Sequence, residues 1–160
     1  MTFKTVDLEV LSLQLNHLSK SLTDFESVLD QETETLKSTD ISPLTDIVKQ
    51  KHKLSELVSE QFNTLTSLLS DDHMSIKELM MLDSFSTLPK ALQEQFETLD
   101  QQIITCNDKN TVNGLSVQAL NSLNETLIQI FKGQDLENKT YNASGNASTP
   151  PTPTKPIGKA

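Results

Sequence analysis

Residues 8–36 decide the fold of this chain, and they read LEVLSLQLNHLSKSLTDFESVLDQETETL. Large apolar side chains recur in this stretch at alternating spacings of three and four residues. They are Leu8, Leu11, Leu15, Leu18, Leu22, Phe25, Leu29 and Leu36. This spacing is the heptad repeat of a helix that buries one narrow apolar stripe against partner helices. It predicts one long helix over about residues 5–37, with Glu32 as an out-of-pattern residue on the stripe.

A second apolar stripe follows after a short polar connection. Residues 38–43 stop the first helix, and Ser42 and Pro43 are placed to cap and begin the next one. The second stripe consists of Leu44, Ile47, Lys51, Leu54, Val58, Gln61, Leu65 and Leu68. It predicts a helix over residues 43–70. Because two long helices joined by a short loop lie side by side, we expect an antiparallel hairpin.

The pattern weakens after residue 70 and returns near residue 92. A short helix is predicted over residues 76–86, ending before Pro89, because the residue before a proline resists the helical conformation. The third long stripe consists of Leu92, Phe96, Leu99, Ile103, Cys106, Asn110, Asn113, Val117, Leu120, Asn124, Leu127 and Phe131. It predicts a helix over residues 90–132. Three asparagines and the nearby Gly114 weaken this helix by up to about 1 kcal/mol each, so it is expected to be either kinked or marginal without a partner.

These patterns predict an all-α fold with two parts. Residues 1–133 are expected to form a coiled-coil-like bundle, made of the long-helix hairpin and the third long helix. Residues 134–160 are rich in Asn, Ser, Thr and Pro and carry no apolar periodicity. Such a segment cannot bury enough apolar area to offset the entropy of ordering, so we expect a flexible tail.

The composition excludes several classes of partner. The 160 residues include 13 lysines, no arginine and 22 acidic residues, for a net charge of −9. This balance argues against nucleic acid and against a polybasic membrane-binding face. No stretch is apolar enough to span a bilayer, and the acidic N-terminal residues do not resemble a signal peptide. With Cys106 as its single cysteine, the chain is expected to be cytoplasmic.

No group of residues forms a recognisable catalytic, cofactor or metal site. His17, His52 and His73 lie on three different predicted elements, and Cys106 falls on an apolar stripe where a thiol behaves as a small apolar group. The glycines are scattered and form no phosphate-binding loop. We therefore expect a protein that is not an enzyme and that holds no cofactor or metal.

The third helix instead favours binding to another chain. The amides of Asn110, Asn113 and Asn124 would be costly to bury without hydrogen bonds, and a flexible tail follows them. A helix whose apolar stripe carries these polar side chains is suited to docking with a partner chain. Two alternatives remain open: a self-associating coiled-coil scaffold without cargo, and a phosphotransfer module that uses His17.

The third helix and the residues after it carry a family resemblance. Asn110-Thr-Val-Asn113-Gly114 is followed by an apolar helix and then by Tyr141-Asn-Ala-Ser-Gly145. This order resembles the FlgN family of flagellar type III export chaperones, whose members show an Asn-x-x-Asn-Gly run, an apolar helix and a Tyr-x-x-x-Gly element. Lys51 and Leu54 look like the lysine and leucine of the family's second helix. The likeness spans most of residues 5–148.

The resemblance implies a chaperone in bacterial flagellum biogenesis and type III protein export. It would bind the terminal helical segments of hook-associated proteins, which form the hook-filament junction, prevent their premature assembly and deliver them to the export gate. The implied cargo-binding residues are Asn110, Asn113, Gly114, Val117, Leu120, Leu127, Ile130 and Phe131. Tyr141 and Gly145 are the implied contacts with the export gate. The export ATPase complex is a further implied partner, and the free protein is expected to be a monomer or a weak dimer.

Overall fold

The computed structural model of the chain describes residues 7–69 and 75–132. Three long helices make up most of it: α1 (Leu8–Lys37), α2 (Leu44–Leu68) and α4 (Lys90–Phe131). Between α2 and α4 lie the short helix α3 (Ile76–Met80) and one 3-10 turn (Phe85–Thr87). No strand occurs within the described ranges. The predicted all-α bundle of a helical hairpin and a third long helix is confirmed.

The helix ends are set by local hydrogen bonds. α1 begins at Leu8 rather than near residue 5 because the Asp7 carboxylate accepts hydrogen bonds from the backbone N–H groups of Glu9 and Val10. α2 begins at Leu44, one residue after the proline, and no side chain caps it. The predicted cap by Ser42 is therefore absent. The N–H of Ser42 instead donates to the Asp40 carboxylate at 2.9 Å, and hydrogen bonds from Ser42 lower the pKa of Asp40.

The segment predicted as one short helix over residues 76–86 is divided. Ser75 and Glu78 form a reciprocal cap that begins α3, which ends after five residues. The chain then turns so that Phe85 packs edge-on against Phe96 of α4, with the ring centroids 5.7 Å apart. The contact joins the 3-10 turn to α4, and edge-to-face pairs of this kind are favourable.

α1 and α4 run parallel, since hydrogen-bonded pairs between them keep a nearly constant separation in sequence. The pairs are Ser12 with Gln95 and Ser19 with Gln102, each 83 residues apart, and Thr33 with Asn113, 80 residues apart. α2 returns antiparallel after the short connection over residues 38–43. The buried apolar core that the helices share consists of Leu11, Leu15, Leu18, Leu22, Leu29, Leu65, Leu69, Ile76, Leu79, Phe85, Leu88, Leu92, Phe96, Leu99 and Cys106.

The chain divides into two compact units, Met1–Val117 and Gln118–Ala160. The first unit contains α1, α2, α3 and most of α4, with the entire core described above. The described part of the second unit is the final stretch of α4 and Lys132. The predicted domain boundary at residue 133 falls outside the described residues, and the predicted tail over 134–160 lies outside them as well.

Candidate functional site

A buried polar cluster joins the three long helices within the first unit. It consists of Glu32 and Thr33 on α1, Lys51 on α2 and Asn113 on α4. The Lys51 ammonium donates to both carboxylate oxygens of Glu32, at 2.6 and 2.8 Å. The Asn113 Nδ2 group donates to Glu32 Oε2 and to the backbone carbonyl of Leu29, both at 2.9 Å. Thr33 Oγ1 donates to Asn113 Oδ1 at 2.7 Å.

This cluster explains one polar residue on each of the three apolar stripes: Glu32, Lys51 and Asn113. Glu32 is 2% exposed and Asn113 is 1% exposed, so each needs hydrogen bonds from inside the protein. Each polar side chain of the cluster forms a hydrogen bond or an ion pair with another member of the cluster. A buried charge is tolerated when it is paired in this way. The sequence contained a signal for this pairing: Glu32, Lys51 and Asn113 all take stripe positions on predicted neighbouring helices.

Asn113, a predicted cargo-binding residue, therefore has its amide fully used inside the bundle. Its neighbours in the motif differ, since Asn110 and Gly114 are both exposed. α4 passes through Gly114 without interruption. Apart from its chain neighbours and the backbone of its own helix, a Cβ atom at Gly114 would meet no atom within 4 Å, so the surface there is open. Direct cargo binding by these three residues stays a prediction, and Asn113 also has an evident structural role.

The second unit presents an apolar surface on α4. We define the C-terminal apolar face as Leu120, Leu123, Leu127, Ile130 and Phe131, whose exposed fractions are 39, 54, 41, 50 and 87%. Their spacing of three or four residues places them along one side of the helix. Contiguous exposed apolar residues of this size are typical of sites that bind another chain. Four of the five were predicted as cargo anchors; Leu123 was not among them.

Val117, the remaining predicted anchor, lies at the end of the first unit and is half-buried. The separation of 80 residues between Thr33 and Asn113 places the last residue of α1, Lys37, level with Val117. Within the first unit, α1 therefore runs alongside the stripe of α4 up to this residue. Asn113 is the last fully buried residue of the stripe, and Val117 is half-buried.

The described histidines and Cys106 belong to the first unit. His17 is exposed on α1, and His52 contacts Glu56 of its own helix at 3.4 Å. The described residues contain no cluster of three or more His, Cys, Asp or Glu side chains that could hold a metal ion. Within the described part of the chain, no helix is long and apolar enough to cross a membrane. Tyr141 and Gly145 lie outside the described residues.

Cys106 is 4% exposed and packs in the core, with its thiol 3.6 Å from the carbonyl of Leu22. Burial, helped by the nearby charge of Glu26, raises the pKa of the thiol. A buried neutral thiol reacts slowly because the thiolate is the nucleophile.

We expect iodoacetamide to modify Cys106 at pH 8 at least about 100-fold more slowly in the native protein than in urea. Mass spectrometry of quenched samples measures both rates. Equal rates would contradict the burial of Cys106.

The raised pKa of Cys106 also makes the stability depend on pH. Because the folded thiol keeps its proton at pH values at which the unfolded thiol has lost it, this group's contribution to stability is present below the ordinary thiol pKa. It is lost as the pH rises above that value.

The fold and this face together define a class: within the described residues, an all-α protein of three long helices with exposed apolar side chains along the end of α4. A family model described as FlgN protein matches residues 1–149 of the 160. The chain therefore belongs to the FlgN family, a family of flagellar export chaperones, as its motifs predicted. No curated protein and no solved structure matches the chain.

Proposed function

We propose that this chain is a cytoplasmic chaperone of hook-associated proteins, the proteins of the hook-filament junction. It binds their terminal helical segments, prevents premature assembly and delivers them to the flagellar export gate. Family membership supports the general role in flagellar export. The observation that carries the specific proposal is the C-terminal apolar face, which belongs to the part of the chain where the family motifs predicted cargo binding.

An amphipathic cargo helix would lie along α4 and cover the C-terminal apolar face, a helix-in-groove mode of recognition. Covering the exposed half of one leucine contributes about 1 kcal/mol. Five such residues, together with Val117 at the edge, supply several kcal/mol before the entropic cost of association. The affinity is then moderate, which suits a chaperone that must release its cargo at the export gate.

The motif residues divide by role in this proposal. Asn113 holds α4 against α1 and α2 through the buried polar cluster, and so it positions the helix that binds cargo. Asn110 and Gly114 are exposed and are proposed to contact cargo directly. Tyr141 and Gly145 are proposed contacts with the export gate, and the export ATPase complex is a proposed further partner.

The proposal is tested by co-expressing the full chain with the terminal helical fragment of a hook-filament junction protein, followed by size-exclusion chromatography. We expect the two to elute together as a stable complex. Deleting residues 134–160 should weaken the complex without abolishing it. Full binding by a chain that lacks both residues 108–133 and the tail would contradict the proposed site.

Gly114 allows a separate test of close approach by cargo. We expect Gly114→Ala to raise the free energy of unfolding by about 0.5–1 kcal/mol, because alanine favours the helix and the site has open space. The same methyl group would obstruct a cargo chain packed against the helix backbone, so cargo affinity should fall while stability rises. Urea unfolding and calorimetric titration measure the two effects. Unchanged affinity would remove Gly114 from the proposed site.

A further inference from the structure

Asn113 and Gly114 form the one Asn-Gly pair in the chain, and this pair has a chemistry of its own. The backbone nitrogen that follows an asparagine can attack the Cγ atom of the asparagine side chain. The attack is easiest when the next residue is glycine, because glycine has no Cβ to obstruct the approach and its backbone rotates most freely. The sequence therefore contains a single position that is especially prone to this reaction.

The reaction converts the asparagine to an acid by way of a cyclic imide. Hydroxide removes the proton of the Gly114 N–H, the nitrogen bonds to Cγ of Asn113, and the Cγ–Nδ2 bond breaks. The leaving nitrogen takes up a proton from water and departs as ammonia. Water then adds to either carbonyl of the imide and opens the ring. The product is aspartate, or isoaspartate if the backbone now runs through Cβ and Cγ of the side chain.

The buried polar cluster holds the Asn113 side chain away from Gly114. Nδ2 of Asn113 donates to Glu32 Oε2 and to the Leu29 carbonyl, both at 2.9 Å. Oδ1 accepts from Thr33 Oγ1 at 2.7 Å, and all three partners lie on α1. Because α4 continues through Gly114, the N–H of this glycine is also engaged, in a helical hydrogen bond to the carbonyl four residues earlier. Both reacting groups are therefore occupied while α4 is packed against α1.

Conversion would break the cluster that shields the site. An aspartate at this position has no N–H to donate to Glu32 or to the Leu29 carbonyl. Its carboxylate would also lie beside that of Glu32, and the ammonium of Lys51 would have to compensate two buried carboxylates, which is strongly unfavourable. An isoaspartate lengthens the backbone by one carbon atom and so interrupts the hydrogen bonds of α4. In either form, α4 loses its attachment to α1 at this level.

We infer that Asn113-Gly114 is a site of spontaneous deamidation, which the buried polar cluster blocks while α4 is packed against α1. Water and hydroxide are the co-reactants, and no enzyme is required. Opening of α4 at Gly114 releases both reacting groups, and the acidic product cannot rebuild the cluster. The extent of conversion therefore records how long α4 has spent open. The inference does not depend on cargo binding.

Mass spectrometry of the full chain, incubated in mildly alkaline buffer, tests the inference. Cleavage after Lys109 and Lys132 releases residues 110–132, and fragmentation of this peptide distinguishes Asn113 from the three other asparagines in it. We expect Asn113 to deamidate at least about 100-fold more slowly in the native chain than in guanidinium chloride, because the reaction must wait for opening. Equal rates would overturn the blocking. Faster deamidation of the other asparagines in denaturant would overturn the site.

Thr33→Val tests whether the cluster itself provides the protection, and Thr35→Val is its matched control. Each hydroxyl lies within hydrogen-bond distance of a carbonyl of its own helix, but Thr33 Oγ1 also bonds Asn113 Oδ1. We expect the native deamidation rate to rise about fivefold in Thr33→Val, the effect of losing one typical hydrogen bond, and to stay within about twofold in Thr35→Val. In guanidinium chloride both variants should react as the wild type does. Equal native rates in the two variants would overturn the role of the cluster.

The effect of the product is measured by making it directly. Asn113→Asp should lower the equilibrium constant for folding at least about 100-fold, because a second carboxylate enters the buried cluster. Asn110→Asp adds the same charge at an exposed position of the same helix, and it should lower that constant by no more than about threefold. Urea unfolding measures both. Equal effects of the two variants would overturn the predicted loss of α4 packing after deamidation.

Discussion

Replacing Lys51 with alanine is expected to lower the free energy of unfolding by about 3 kcal/mol. The Lys51 ammonium makes two hydrogen bonds to Glu32, whose side chain is only 3% exposed. Without the lysine, the buried Glu32 carboxylate keeps its hydrogen bond from Asn113 Nδ2 but loses the positive charge that compensates its own charge. Removing the partner of a buried charge is among the most destabilising substitutions in a folded protein. Urea unfolding followed by circular dichroism measures the loss.

Lys49 supplies the matched control on the same helix. It pairs with Asp46 at 3.1 Å, but the two side chains are 68% and 78% exposed. Exposed pairs contribute little, so Lys49→Ala should change the stability by no more than about 0.5 kcal/mol. Equal losses in the two lysine variants would show that the polar cluster is not buried as described.

A double replacement separates the ion pair from the packing around it. Glu32→Leu combined with Lys51→Met removes both charges and retains most of the side-chain volume. We expect this variant to be about 1–2 kcal/mol less stable than the wild type but more stable than Lys51→Ala, because apolar replacements of buried ion pairs are often neutral while one N–H of Asn113 loses its acceptor. Asn113 keeps its hydrogen bond to the Leu29 carbonyl. A double variant as unstable as Lys51→Ala alone would indicate that packing, and not charge, causes the loss.

The second large effect is expected in cargo binding. Leu127→Glu should weaken the complex with the terminal fragment of a hook-filament junction protein by at least about 100-fold. Leu127 lies at the middle of the C-terminal apolar face and is 41% exposed in the free chain. A carboxylate there would be buried without a partner, and each tenfold loss of affinity corresponds to about 1.4 kcal/mol. Calorimetric titration measures the change.

Leu57→Glu is the control for this measurement, since it places the same charge at an equally exposed leucine of α2. We expect this variant to bind cargo within about twofold of the wild type. Both variants should keep the helical circular dichroism spectrum of the wild type. Unimpaired binding by Leu127→Glu would remove the C-terminal apolar face from the proposed mechanism.

The helices themselves could be predicted because their signals are local. The spacing of leucines in α1 and α4 needs no knowledge of partners, and the observed bounds agree with the prediction within three residues at each end. The single short helix predicted over residues 76–86 was wrong: α3 ends at Met80, and Phe85 lies in a 3-10 turn and packs against Phe96 of α4, a contact that no local pattern contains. Family membership could also be predicted from the Asn110-Thr-Val-Asn113-Gly114 and Tyr141-Asn-Ala-Ser-Gly145 motifs, which lie within the residues that the family model matches.

By itself, the sequence determined the helical class, the hairpin and the apolar stripes, since periodicity and helix-stopping residues act over a few neighbouring positions. Only the tertiary structure decided what the polar residues on those stripes do. Glu32 of α1 accepts hydrogen bonds from Lys51 of α2 and from Asn113 of α4, because α1 lies beside both of these helices. Leu120 and Leu127 have the same stripe spacing as the core leucines, yet they remain exposed. Burial depends on which helix lies alongside, and no local pattern contains that information.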